Sequence, residues 1–217
     1  TLSILTPFLK QNPILSPAMS RLSIRQRIGL ELERQIRSNQ KQLHPLRQLF
    51  WECTLRCNLH CLHCGSDCKQ ESLTPDMPAD DFLNVIDNQV SPNVNPNKVL
   101  IIFSGGEPLV RKDIEVVGRK LYDRGYPWGM VTNGMLFTPE RFDALRRAGL
   151  RSVAVSLDGN EADHNWMRGH PLSFDRAVRA IKALTYRQIT WDVITCVNQR
   201  NIGHLEEFKD FLLSIGV

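Results

Sequence analysis

From Gln48 onward, short apolar runs alternate with longer amphipathic ones, and this alternation restricts the fold more than any other feature. Gln48-Leu-Phe-Trp-Glu-Cys53 reads as a strand, and Val99-Leu-Ile-Ile-Phe103 is a continuous apolar run of the kind buried on both faces. Further strands are predicted over Trp128–Thr132, Val153–Leu157 and Ile189–Val197. Between and after them the pattern predicts helices over 78–90, 111–124, 138–148, 173–185 and 202–214. Thr138-Pro139 supplies a cap and a first residue, and Ser173 is expected to cap its own helix. Five strand–helix units in series imply a parallel α/β sheet with right-handed crossovers. An open Rossmann-like sheet and a full or partial (β/α) barrel both satisfy that pattern.

The turns after the strands carry the chemistry. A cysteine cluster follows the first strand, Ser104-Gly-Gly-Glu-Pro108 the second and Thr132-Asn-Gly134 the third. Ser156-Leu-Asp-Gly159 follows the fourth, and Asn198 with Asn201 the fifth. In parallel α/β architectures the C-terminal strand ends share one face, where ligand sites are built.

The start of the chain reads differently. Residues 1–18 form a Pro-rich lead without the basic start of a secretory signal, and Met19 is a candidate true start. Ser23-x-x-Gln26 is a capping box, followed by Ile24, Ile28, Leu32 and Ile36 on one helical face over 23–40. The expectation is a helix packed on the domain with a solvated basic face. The chain divides at this level into 1–45, a tail and basic helix, and 46–217, an α/β core. No run approaches the ~18 apolar residues of a membrane span. The net charge of +4 belongs to the N-terminal arm: residues 50–217 hold 19 basic and 21 acidic residues. A general nucleic-acid-binding surface is unsupported.

Five of the six cysteines fall within residues 53–68: Cys53, Cys57, Cys61, Cys64 and Cys68. A disulfide framework would spread them through a small secreted chain, so the crowding points to metal or cluster ligation in a reducing, cytoplasmic setting. Thiolates are the usual iron–sulfur ligands, and three close ligands would leave one iron of a four-iron cluster for another molecule. Zinc is the competing occupant, with His60 or His63 completing the site, although the second distant ligand pair usual for structural zinc is absent.

Cys57-x3-Cys61-x2-Cys64 after a first strand, with Gly-Gly-Glu-Pro after the second, resembles the radical S-adenosylmethionine (SAM) superfamily. The strings Glu52-Cys-Thr-Leu-Arg-Cys57-Asn-Leu-His-Cys61-Leu-His-Cys64 and Val155-Ser-Leu-Asp-Gly159 are similar to its peptide- and protein-modifying (SPASM-like) branch. Within it, the stretch from His44 to Cys68 resembles an uncharacterised group encoded beside lipoproteins. The resemblance implies a partial (β/α) barrel with an N-terminal helical extension, cut before its final strand or strands. It implies a 4Fe-4S cluster on Cys57, Cys61 and Cys64, with SAM as cosubstrate. It also implies a peptide or protein substrate and a reductant such as flavodoxin or ferredoxin.

Carried over residue by residue, the backbone around Gly105, Gly106 and Glu107 would bind the methionine amino group of SAM. The two glycines would let backbone approach the ligand, and Pro108 would stiffen the turn. His63 holds the place of an aromatic ring near adenine. Ser156 and Asp158 would contact the ribose or carboxylate, and Arg168 is a candidate carboxylate partner. Cys53 is expected to point into the barrel, and Cys196 to be a buried small side chain within its strand. The alternative is a non-enzymatic zinc- or iron–sulfur-binding module.

Overall fold

A computed structural model describes residues 22–217, apart from 186 and 188. The expected Pro-rich lead, 1–18, and Met19 lie outside the described residues. The described residues fall into two units, divided after Pro45. In the first, helix α1 (Ile24–Leu43) begins at the expected capping box: Gln26 N–H donates to Ser23 Oγ at 3.3 Å, and Ser23 N–H to Gln26 Oε1 at 2.9 Å. His44 ends it in the left-handed region, its N–H returning to Gln40 O at 2.9 Å.

The second unit is built on five parallel strands: β1 (Gln48–Thr54), β2 (Leu100–Gly105), β3 (Trp128–Thr132), β4 (Leu150–Ser156) and β5 (Thr190–Ile194). Their spatial order is their chain order. That order decides between the two architectures left open by the pattern. A doubly wound sheet reverses its strand order at a switch point, whereas right-handed crossovers between sequential neighbours place every helix on one face, as in a barrel wall.

Burial along the strands agrees. Trp51, Ile101, Phe103, Trp128, Met130, Val153 and Val155 are buried against residues of the helical layer, among them Phe82, Leu121, Phe142 and Ile181. Trp51 stacks on Phe82 with ring centroids 4.0 Å apart, and Phe103 continues the row to Trp128. The alternate residues Phe50, Glu52, Asp192 and Ile194 are exposed on the other face. Cys53 shares the parity of Trp51, so it belongs to the helix-side core rather than the barrel interior.

The helices are α2 (Ala79–Val85), α3 (Ile114–Asp123), α4 (Pro139–Arg147), α5 (Glu161–Arg168), α6 (Ser173–Thr185) and α7 (Leu205–Ser214). Several departures from the sequence reading have local causes. The segment read as one helix over 78–90 changes at Ile86 to a π turn that sets both Ile86 and Val90 in the core. Helix α5 is short and polar, without an apolar period to announce it; Asn160 caps it through Asp163 N–H, and Gly169 ends it at φ 65°. Ser173 is the first residue of α6 rather than its cap. Asn165 of α5 takes that role, accepting from Phe174 N–H at 2.9 Å and Ser173 Oγ at 2.8 Å. Cys196 lies past the end of β5 and is only partly buried. Among the described residues no helix is long and apolar enough to cross a membrane.

Candidate functional site

The polar turns meet at the C-terminal ends of the strands. The loop leaving β1 is closed on itself, Cys57 N–H donating to Lys69 O at 2.7 Å and Cys64 N–H to Cys61 O at 3.2 Å. Leu62 N–H reaches Met167 O of α5 at 2.8 Å, so the cysteine loop spans from β1 to the helix that follows β4. Beneath it, Asp76 accepts from Thr54 Oγ1 at 2.7 Å and pairs with Arg56 at 2.5 Å. Arg111, buried over Trp51, donates to Cys53 O at 2.6 Å and Met77 O at 3.1 Å and pairs with Asp113.

Gly105 and Gly106 serve a close approach, but to the chain itself. A Cβ on Gly106 would lie 2.1 Å from Arg56 O, and one on Gly105, at φ 108°, 2.4 Å from Thr54 O. Without side chains the turn lies on the cysteine loop, held by Gly106 N–H to Thr54 O at 2.7 Å and Glu107 N–H to Arg56 O at 3.0 Å. Pro108 opens a buried 3-10 turn directly after it.

The Glu107 side chain, unremarked in the sequence, is fully enclosed. It accepts from Leu109 N–H at 3.1 Å, Thr132 Oγ1 at 2.8 Å and Asn133 N–H at 2.8 Å. Burial pushes its carboxyl above the usual range despite these bonds. It thereby fixes Thr132-Asn133-Gly134. Asn133 Nδ2 donates to Asn58 Oδ1 at 2.8 Å and to Cys57 Sγ at 3.7 Å.

Arg168 and Asp158 also meet here. Arg168 Nε donates to Asp158 Oδ2 at 2.6 Å, and its Nη1 to Cys61 Sγ at 3.8 Å. Asp158 is wholly buried, and its other oxygen accepts from Cys196 N–H at 3.0 Å. Its N–H donates to His164 Nδ1 at 3.0 Å, and its carbonyl accepts from Asn201 Nδ2. Burial alone would raise the Asp158 carboxyl pKa; the Arg168 guanidinium and the Cys196 N–H hold it well below the usual range. With both oxygens engaged inside the chain, Asp158 orients Arg168. Ser156 Oγ, by contrast, has no hydrogen-bond partner among the described residues. His63 lines an open cavity of about 570 Å³ with Leu62, Trp166, Met167, Asn198 and Arg200. Burial first, and the Arg168 charge second, lower its pKa.

Each of the three cysteine sulfurs thus faces a donor: Asn133 at Cys57, Arg168 at Cys61 and, at 3.3 Å, the Cys68 N–H at Cys64. Donors facing the sulfurs would suit the thiolates of a bound cluster, and the set fits an iron–sulfur cluster. Burial pushes the Cys57 and Cys61 thiols up, so metal binding here must release protons. Among the described residues no three His, Cys, Asp or Glu converge where one ion would sit. A cluster, which spreads its thiolates over several irons, does not ask for such convergence.

The model of the radical SAM superfamily matches residues 51–212. The chain belongs to this superfamily. Radical SAM membership implies a 4Fe-4S cluster and SAM as cofactors. Among curated proteins it is 33% identical over 171 residues to the AdoMet-dependent heme synthase of Methanosarcina barkeri, covering 78% of this chain and 48% of that one. It is 34% identical over 164 residues to the protein of that name from Nitratidesulfovibrio vulgaris, covering 75% and 42%. The chain spans about half the length of the curated relatives it matches. Among solved structures it resembles Streptococcus suis SuiB bound to precursor peptide SuiA (TM-score 0.64, 18% identity, 100% of this chain and 48% of that one). Native anSMEcpe with bound AdoMet is similar (TM-score 0.63, 21% identity, 78% and 49%). At these identities the likeness is one of fold.

Proposed function

We propose that Cys57, Cys61 and Cys64 hold a 4Fe-4S cluster at which SAM is cleaved reductively, and that the resulting radical modifies a peptide or protein. The carrying observation is the set of three cysteine sulfurs, each facing a donor, beside the Gly105-Gly106-Glu107-Pro108 turn. When bound, the cluster and SAM supply one-electron cleavage of the sulfonium and a 5′-deoxyadenosyl radical able to remove a hydrogen atom from substrate.

The chain's own residues supply the setting. The turn backbone at Gly105–Glu107 binds the methionine amino group, Ser156 Oγ is free to meet the ribose or carboxylate, and His63 borders the adenine. Asp158 and Arg168 act from behind the cysteine loop. A one-electron reductant of the flavodoxin or ferredoxin class completes the system.

The peptide or protein substrate rests on the resemblance of residues 52–64 and 155–159 to that branch, and on the charge of the open sheet face. Glu52 and Asp192 stand exposed there, and no Lys or Arg accompanies them on the described strand residues of that face. A second reading, a tetrapyrrole substrate, is favoured by the 33% identity to the Methanosarcina barkeri heme synthase. Porphyrin carboxylates would meet that face unfavourably.

Anaerobic reconstitution with iron and sulfide tests the first step. A brown protein that releases 5′-deoxyadenosine from SAM on reduction supports it, and a colourless protein with stoichiometric zinc refutes it. Incubation with deuterated cellular protein or a deuterated iron porphyrin tests the second. Deuterium in 5′-deoxyadenosine from the protein fraction supports peptide modification, and deuterium only from the porphyrin overturns it.

A further inference from the structure

The hydrogen bonds to the three cysteine sulfurs are not left to mobile side chains. Asn133 has two amide hydrogens and two acceptors, Asn58 Oδ1 and Cys57 Sγ. Its Oδ1 accepts from Met135 N–H at 2.9 Å and its N–H is held by Glu107, so the amide cannot turn round without losing bonds on both sides. Arg168 is aimed as firmly: its side chain is 12% exposed, and its partner Asp158 is itself fixed by the Cys196 N–H. The third donor, the Cys68 N–H, is backbone and needs no aiming.

We propose that Asn133 and Arg168, with the Cys68 N–H, are positioning residues that raise the reduction potential of the cluster. This rests on the cluster reading above. Reduction places one more negative charge on the cluster and its thiolates. Donors directed at the sulfurs favour the reduced form, and a guanidinium adds a full charge to the dipole. A charge-assisted hydrogen bond is roughly twice as strong as a neutral one, so the Arg168 effect exceeds that of Asn133. Arg168 therefore acts on the cluster's electronics through Cys61, a role separate from binding the SAM carboxylate.

The experiment is a redox titration of the reconstituted protein without SAM, with dithionite as reductant and the reduced cluster read by electron paramagnetic resonance. At the wild-type midpoint, Asn133→Leu is expected to lower the reduced-to-oxidised ratio about fivefold. Arg168→Met is expected to lower it about tenfold, which is ~59 mV for a one-electron couple. Arg168→Lys, which keeps the charge, is expected to shift it less than Arg168→Met. Unmoved midpoints with iron retained overturn the inference. Where the larger substitutions lose iron, Arg168→Lys and Asn133→Ser decide it in the same way. A wild-type chain that takes up no iron fails the cluster reading instead, and the two failures are thereby distinguishable.

Discussion

The two ends of the sheet handle charge in opposite ways. At the C-terminal end, Glu107, Asp158, Arg111 and Arg168 are buried or nearly so, and each is engaged by two or more groups of the chain. At the N-terminal end, Arg119, Tyr122, Arg147 and Arg151 border a cavity of about 330 Å³ and remain exposed, with Arg119 and Arg151 resting near the Tyr122 ring. Burying a charge is expensive unless it is paired and hydrogen-bonded, while a solvated arginine costs little. Charge inside the fold therefore marks the end where chemistry is held, whereas surface charge does not.

That contrast is broken most severely at the cysteines. Cys57→Ala, Cys61→Ala or Cys64→Ala should each abolish the brown colour and most bound iron after anaerobic reconstitution. Cys53→Ala and Cys196→Ala should retain both, measured by iron and sulfide assay. If Cys53→Ala loses the cluster while Cys64→Ala keeps it, the ligand assignment is wrong.

Next in size is Gly106→Ala. Its Cβ would meet a backbone oxygen, not a yielding side-chain tip, so the turn must leave the cysteine loop. Iron uptake should fall while the helical circular dichroism stays close to wild type.

Asp158→Asn should cost about 3–5 kcal/mol in denaturant unfolding of the metal-free protein, because Arg168 stays buried without its charge partner. The pH dependence gives a separate check. The Asp158 pKa is depressed on folding, so its stabilising contribution is full above the unfolded value of about 3.9 and is lost as pH falls toward the folded one. Wild type should lose stability below about pH 4 more steeply than Asp158→Asn. Parallel profiles would refute this account of Asp158.

The smallest effect belongs to the other end. Arg147→Ala and Arg151→Ala should each change stability by no more than about 0.5 kcal/mol and leave iron uptake unchanged. A large loss there would erase the distinction between the two ends.

Much of the scaffold was legible from Gln48 onward, since a buried parallel strand needs an unbroken apolar run and its helix an amphipathic one. The polar turns announced which edge holds the site. What stayed hidden was relational. Asn133 sat in a dipeptide that reads as a turn, and its amide matters only because β1 and β3 flank β2 and end at the same edge of the sheet. Asp158 and Arg168 were singled out, yet nothing local shows that they face one another and Cys61. Helix α5 escaped notice because polar residues fill it, and it is this helix that carries Arg168 and meets the cysteine loop.

The donors aimed at the cysteines come from far along the chain, Asn133 76 residues after Cys57 and Arg168 107 residues after Cys61. Contacts of such long range carry a high loop-closure cost and need the intervening chain to be present. During synthesis the cysteine motif emerges well before either donor has been made. Iron and sulfide delivered to the nascent chain would find thiols with no finished surroundings. On the cluster reading proposed above, a cluster inserted after sheet assembly would meet both donors in place, and one inserted earlier would meet neither.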